Sequence, residues 1–208
     1  GKVCIVLPNR RASIFVKQYF NQAYQKTIWL PSIYSTEDFV TELSGLQTMD
    51  NLSQLFELYQ VYQQLNKAPE PLDDFSKWAT ILLKDFNEID QYLINAEELF
   101  AYVNEVRALE VWNPGQPELT THQKEYLSFW KSLYEYYQVF NAKLKNEKKA
   151  YQGMSFRYVA ENIEQLFSSG RFDSWDTIIF AGFNAFNKAE ERIIDFLLLE
   201  KKCEILWD

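Results

Sequence analysis

The chain has 208 residues, enough for one large domain or two small ones with a substantial core. Its 47% hydrophobic and 17% aromatic content, with only 6 Gly and 6 Pro, excludes a long disordered tract. The formal net charge of −8 weighs against a free-standing nucleic-acid binder, which carries a basic excess, although it leaves room for a local basic patch.

The chain opens Gly1-Lys2 without an initiator Met and enters the apolar run Val3-Cys4-Ile5-Val6-Leu7 at once, the composition of a buried parallel strand. Pro8-Asn9-Arg10-Arg11 follows as a loop. Residues 12–25 then read as an amphipathic helix with Ile14, Phe15, Tyr19 and Phe20 towards the core. Residues 27–33 (TIWLPSI) read as another strand, with Pro31 marking an edge or a strand end. Ser35-Thr36-Glu37-Asp38 is a helix start, followed by Phe39, Val40 and Leu43, with Gly45 as the stop.

From about 51 to 167 the spacing is helical almost throughout. Leu52, Leu55, Phe56, Tyr59, Val61 and Tyr62 line one helix, which Pro69-Glu70-Pro71 breaks. Residues 75–92 carry Phe75, Trp78, Ile81, Leu82, Phe86 and Ile89 at spacings of three and four. Asn95 caps a helix to about Val106, residues 113–117 (NPGQP) form a loop, and 121–145 make a long aromatic helix that ends in a basic stretch. Residues 155–167 form one more helix.

Thr177-Ile178-Ile179-Phe180-Ala181 is again a buried-strand run. Gly182 ends it, a loop carries Phe183 and Asn184, and Asn187 caps a helix bearing Ile193, Ile194, Phe196, Leu197 and Leu198. A final strand occupies 203–207. Strands at both ends and helices between them predict an α/β fold: a parallel sheet split in sequence between 1–48 and 171–208, with a helical subdomain over 49–170. The bare ends also lead us to expect a segment of a longer protein.

Little catalytic chemistry is legible. The chain has no GxxxxGK[ST] and no GxGxxG, so nucleoside triphosphate binding is not expected. In nucleotide-hydrolysing enzymes of this topology an acidic pair at the strand end holds Mg²⁺; here Gly182-Phe183 occupy that place. His122 reads as a helix-start surface residue. Cys4 and Cys203 sit in apolar strands far apart in sequence, which suggests a reduced, cytoplasmic setting with neither a disulfide nor a metal site. Asp85, Glu88 and Asp90 read as a helix face before a metal cluster, and Phe129, Trp130, Tyr134 and Tyr137 as core before a base-stacking surface. No stretch is apolar enough to span a membrane, and none reads as a signal peptide. No catalytic residue, metal ligand or cofactor is therefore assigned. The loop Asn9-Arg10-Arg11 admits two readings: an ordinary solvent-exposed loop, or a contact to backbone phosphate assisted by helix N-terminal amides.

Taken together, two loops carry a resemblance. Ile5-Val6-Leu7-Pro8-Asn9-Arg10-Arg11-Ala12 resembles the strand and loop that superfamily 1 helicases use as a first single-strand DNA contact, in the form it takes in AddB and RecC type subunits. Ile179–Phe186 with Glu190 is similar to the AddB segment hydrophobic-Asp-Gly-Phe-x-x-Phe-x-x-x-Glu, with Ala181 where Asp is common. The segments 73–93 and 150–153 resemble the same family's helical region. The resemblance implies a RecA-like, superfamily 1 helicase-like lobe with a large helical insertion, from an AddB-type helicase–nuclease subunit that works with an AddA-type motor helicase in recombination repair of DNA double-strand breaks. It implies a lobe inactivated as an ATPase. Asn9, Arg10 and Arg11 would be its DNA contacts, and Gly182, Phe183 and Asn184 would mark its degenerate acidic motif. Two rivals stay open: a protein-interaction module that never touches DNA, and a small-molecule enzyme on a doubly wound sheet.

Overall fold

The computed structural model describes residues 2–24, 29–111 and 119–207, apart from the side chains of 109–111. The chain forms two compact units, one from Gly1–Thr48 with Gln152–Asp208 and the other from Met49–Tyr151.

The first unit is built on strands β1 (Val3–Leu7), β2 (Ser32–Ser35), β5 (Thr177–Phe183) and β6 (Cys203–Trp207). They form one parallel sheet in the order β2-β1-β5-β6. The α/β class with a parallel sheet is as the sequence predicts. In register, Val6 pairs with Phe180 and Phe180 with Ile205, so these side chains share a face, and Ile5, Ile179 and Glu204 share the other.

The two faces are covered unequally. On one, Cys4, Val6, Ile178, Phe180 and Cys203 are buried beneath α2 (Thr36–Ser44), α7 (Gln152–Glu161) and α9 (Lys188–Leu199). Within that layer α2 packs on α7 and α7 on α9, with the short α8 (Ile163–Ser168) against both α7 and α9. Phe39 of α2 meets Phe180 edge-on at 5.8 Å. Helix α1 (Arg10–Ala23) lies against β1 and β2, and right-handed crossovers running to opposite sides of the β1–β5 pair place α1 and α9 on opposite faces.

Several expectations need correction here. Ile14, Phe15 and Tyr19 of α1 are exposed, and Ser13 is the helix's buried residue. Most apolar residues of α1 lie on one side of the helix, but its packing on β1 and β2 leaves Phe15 and Tyr19 on the outer part of that side, and Ile14 lies off it. The expected strand at 27–33 begins only at Ser32; residues 27 and 28 lie outside the described residues, and Pro31, which lacks an N–H, precedes the ladder. Gly182 does not end β5 but lies within it at φ 73°, where the register with β6 shifts between Ala181 and Phe183. The helix expected at 155–167 is two helices: the Asn162 amide donates to the Tyr158 carbonyl at 2.7 Å, competing with continuation of the helix. Residues 152–170, expected with the helical part, group with the sheet because α7 packs on α2 and α9.

The second unit contains α3 (Asn51–Leu65), α4 (Leu72–Gln91), α5 (Ala96–Val111) and α6 (Thr121–Asn146). Helix α3 packs on α4 and α6, and α5 on α6. Its core is aromatic: Tyr62, Phe75, Trp78 and Tyr136 form one cluster, and Phe86, Phe100, Tyr137 and Phe140 another. Leu52, Phe56 and Ile81, expected on inward stripes, are exposed. The loop expected at 113–117 lies outside the described residues. Two-residue strands β3 (Gln47–Thr48) and β4 (Lys149–Ala150) stand where the chain passes from one unit to the other. Among the described residues, no helix is long and apolar enough to cross a membrane.

Candidate nucleic-acid interface

All four sheet strands run the same way, so the loops after β1, β2 and β5 and the end of β6 meet at one carboxyl edge. From β1 the chain crosses outward to β2, whereas β5 lies on the other side of β1. The order therefore reverses between β1 and β5, and the crevice at such a switch point is where open α/β sheets place ligands. The loops containing Asn9 and Asn184, far apart in sequence, flank it.

Asn9 is the N-cap of α1. Its side-chain oxygen accepts from the Ala12 N–H at 2.9 Å, which leaves the Nδ2 amide as the group able to donate outward. The first turn of α1 carries no acidic residue. Its free amides, the positive end of the helix dipole and two arginines therefore point the same electrostatic way.

Arg10 and Arg11 differ. Arg10 Nη2 donates to Asp38 Oδ1 at 2.6 Å, and its Nε lies 3.2 Å from Oδ1 and 3.1 Å from Oδ2. This side-on grip uses one edge of the guanidinium and leaves the Nη1 side open. Asp38 is fixed in turn by Ser35, the N-cap of α2, whose hydroxyl donates to Asp38 Oδ2 at 2.7 Å. Hydrogen bonding to the Arg10 guanidinium holds the Asp38 carboxyl below the usual aspartate range, and the same bond raises Arg10. Thr36 ties α2 to the end of β1 by donating to the Leu7 carbonyl at 3.1 Å. Arg11 is exposed and has no ion-pair partner among the described residues. The sequence flagged both arginines but missed Asp38, because the pairing spans 28 positions and no local spacing reports it.

Across the crevice, Gly182 is exposed, and a Cβ built there would meet no atom within 4 Å. Asn184 is exposed, while Phe183 is buried and meets the tilted Phe186 ring with centroids 4.8 Å apart. Helix α9 is closed by a reciprocal capping box: Asn187 Oδ1 accepts from the Glu190 N–H and Glu190 Oε2 accepts from the Asn187 N–H, each at 2.9 Å. Glu190 is therefore occupied as a cap, and burial pushes its carboxyl up.

The other candidates disperse. His122 is 98% exposed in its side chain, beside Glu125 on the first turn of α6. Cys4 and Cys203 are buried free thiols pushed up to about 12 by burial, which makes them poor nucleophiles at neutral pH. Asp90 is only 1% exposed and receives the hydroxyls of Tyr137 and Tyr151, so it belongs to the core of its unit. Phe129, Trp130, Tyr134 and Tyr137 each pack on a neighbouring ring: Phe129 on Trp78, Trp130 on Tyr126, Tyr134 on Phe100 and Tyr137 on Phe86. Among the described residues no group of three His, Cys, Asp or Glu side chains could hold a metal ion.

No family model matches the chain, and no curated protein matches it.

Proposed function

We propose that the sheet unit is a non-catalytic, RecA-like lobe of superfamily 1 helicase type, with the helical unit as its insertion, and that it guides DNA within an AddB-type helicase–nuclease acting beside an AddA-type motor in double-strand-break repair. One observation carries this reading. The two loops whose sequences resemble helicase segments follow the neighbouring strands β1 and β5 and so share one crevice.

The chemistry of that crevice supports a guide over a motor. Phosphate-compatible groups cluster on the β1 side: Arg10, Arg11, the Asn9 Nδ2 amide and the first turn of α1, which carries no acidic residue. On the β5 side Gly182-Phe183 supply no carboxylate for Mg²⁺, and no glycine-rich phosphate cradle follows β1. Asn9, Arg10 and Arg11 are assigned as DNA-backbone contacts, and Gly182, Phe183 and Asn184 as the degenerate acidic motif.

A second reading, a protein-interaction module without DNA contact, is favoured by the exposed Ile14, Phe15 and Tyr19 of α1. Titrating fluorescent single-stranded DNA with the protein at low salt separates the two. The guide reading expects binding that weakens steeply with salt, together with no ATP hydrolysis. Absence of binding overturns it in favour of the interaction module.

A further inference from the structure

A row of aromatic rings leads from the sheet core to solvent at the carboxyl edge. Phe180 and Phe183 are buried with centroids 6.1 Å apart, Phe186 lies 4.8 Å beyond Phe183 and is half-buried, and Trp207 lies 5.3 Å beyond Phe186. Trp207, at the end of β6, is 60% exposed. The irregular register between β5 and β6 sets Phe183 opposite Trp207 and turns this part of the edge out of the regular pleat. Beside it, the space over Gly182 is open.

We propose that Phe186 and Trp207 form a stacking platform for an unpaired base, so that the ligand of this edge is single-stranded nucleic acid. This inference rests on the DNA-guiding reading above and adds to it the surface that takes a base and the path of the strand. Charge sets that path. The start of α9 carries Glu190 and Glu191 beside Lys188, which is bound to Glu191 at 2.8 Å, and the exposed Arg192. These charges balance, so that side offers a ring face with no excess of positive charge for phosphate. The start of α1 has two arginines and no acid of its own; Arg10 is paired with Asp38 of α2, and Arg11 stands outside that pair. Backbone phosphates therefore run over the end of β1, and a base lies over the ends of β5 and β6. With neighbouring strands about 4.8 Å apart, β6 stands roughly 10 Å from β1, a span that nucleotide-sized groups bridge. A π-face takes any base, so the platform carries no sequence preference. A duplex, whose bases are already stacked on one another, cannot supply the free face.

The test uses the 208-residue chain and two probes of equal length, an oligothymidine and an abasic phosphodiester strand, at low salt. Trp207→Leu keeps apolar bulk without a ring, and Trp207→Phe keeps the ring; Phe186→Leu is a second, independent variant. Wild type is expected to bind oligothymidine more tightly than the abasic strand. Trp207→Leu should lose about 5- to 150-fold for oligothymidine, with abasic binding and the salt slope unchanged, and Trp207→Phe should stay within about twofold of wild type. Equal wild-type affinity for the two strands, or undiminished oligothymidine binding by both leucine variants, overturns the platform and leaves the phosphate reading standing. Failure of wild type to bind either strand overturns both.

Discussion

Arg10 grips Asp38 side-on, with Nη2 2.6 Å from Oδ1 and Nε within 3.2 Å of both carboxylate oxygens. The pair is exposed, so it adds little to stability. Its effect is on charge: a carboxylate in contact with the guanidinium cancels much of what a distant polyanion would feel. Asp38→Asn keeps the hydrogen-bonding shape and removes that charge. We expect single-stranded DNA affinity to rise several-fold and the log–log salt slope to steepen by about one unit. Salt-dependent anisotropy titrations of the variant check this, and an unchanged slope would show that Arg10 does not meet phosphate.

In the helical unit, Glu57 of α3 receives Lys143 at 2.5 Å and Lys149 at 3.0 Å, with only 16% of its side chain exposed. The hydrogen bond from Lys143 is the largest cause holding its carboxyl below the ordinary glutamate value of 4.5, and burial opposes it. A carboxyl depressed in the folded state binds fewer protons there than when unfolded, so stability rises with pH through that window. The contribution is complete above 4.5 and lost as pH falls through the folded value. Glu57→Gln should cost about 1–3 kcal/mol at neutral pH and a shrinking amount in acid. Urea unfolding of both proteins across this range tests it; a pH-independent difference contradicts it.

Asp90 of α4 is held by the hydroxyls of Tyr137 and Tyr151, and Tyr151 is itself bonded to Asn141 of α6 at 2.9 Å. Burial pushes Tyr151 well above the ordinary tyrosine range, so its hydroxyl stays a donor. Tyr151→Phe removes one donor from a carboxylate that water barely reaches, and should destabilise the protein by about 1–3 kcal/mol. In urea the midpoint should fall while the slope of the transition holds.

Asn187→Ala breaks the capping box that starts α9, the helix that covers β5 and β6. The expected loss is about 1 kcal/mol, largely restored by Asn187→Asp or Asn187→Ser. Thermal unfolding of the three variants checks the order.

Much of this architecture can be read from local pattern. The runs at β1 and β5 are apolar enough to announce buried parallel strands, and the caps Ser35 and Asn187 announce α2 and α9. Where local pattern competes with tertiary context, it misleads. Helix α1 has an apolar side, yet its contacts with β1 and β2 turn Ser13, and not Phe15, inward. Helix α7 reads like its helical predecessors, yet its neighbours α2 and α9 draw it into the sheet unit. At the candidate site the arginines were visible because they follow a strand. Their partner Asp38 and the meeting of Phe186 with Trp207 were not, because each is made by strand order and not by sequence spacing.

The most direct test of DNA guidance at the β1–β5 crevice is the salt dependence of single-stranded DNA binding by wild type and by an Arg10→Ala/Arg11→Ala double variant. Arg11, exposed and outside the Asp38 pair, should account for most of the effect. Loss of these contacts should weaken binding at low salt and flatten the log–log slope by about 1–2 units. Equal slopes for the two proteins would contradict the assignment of this edge to DNA.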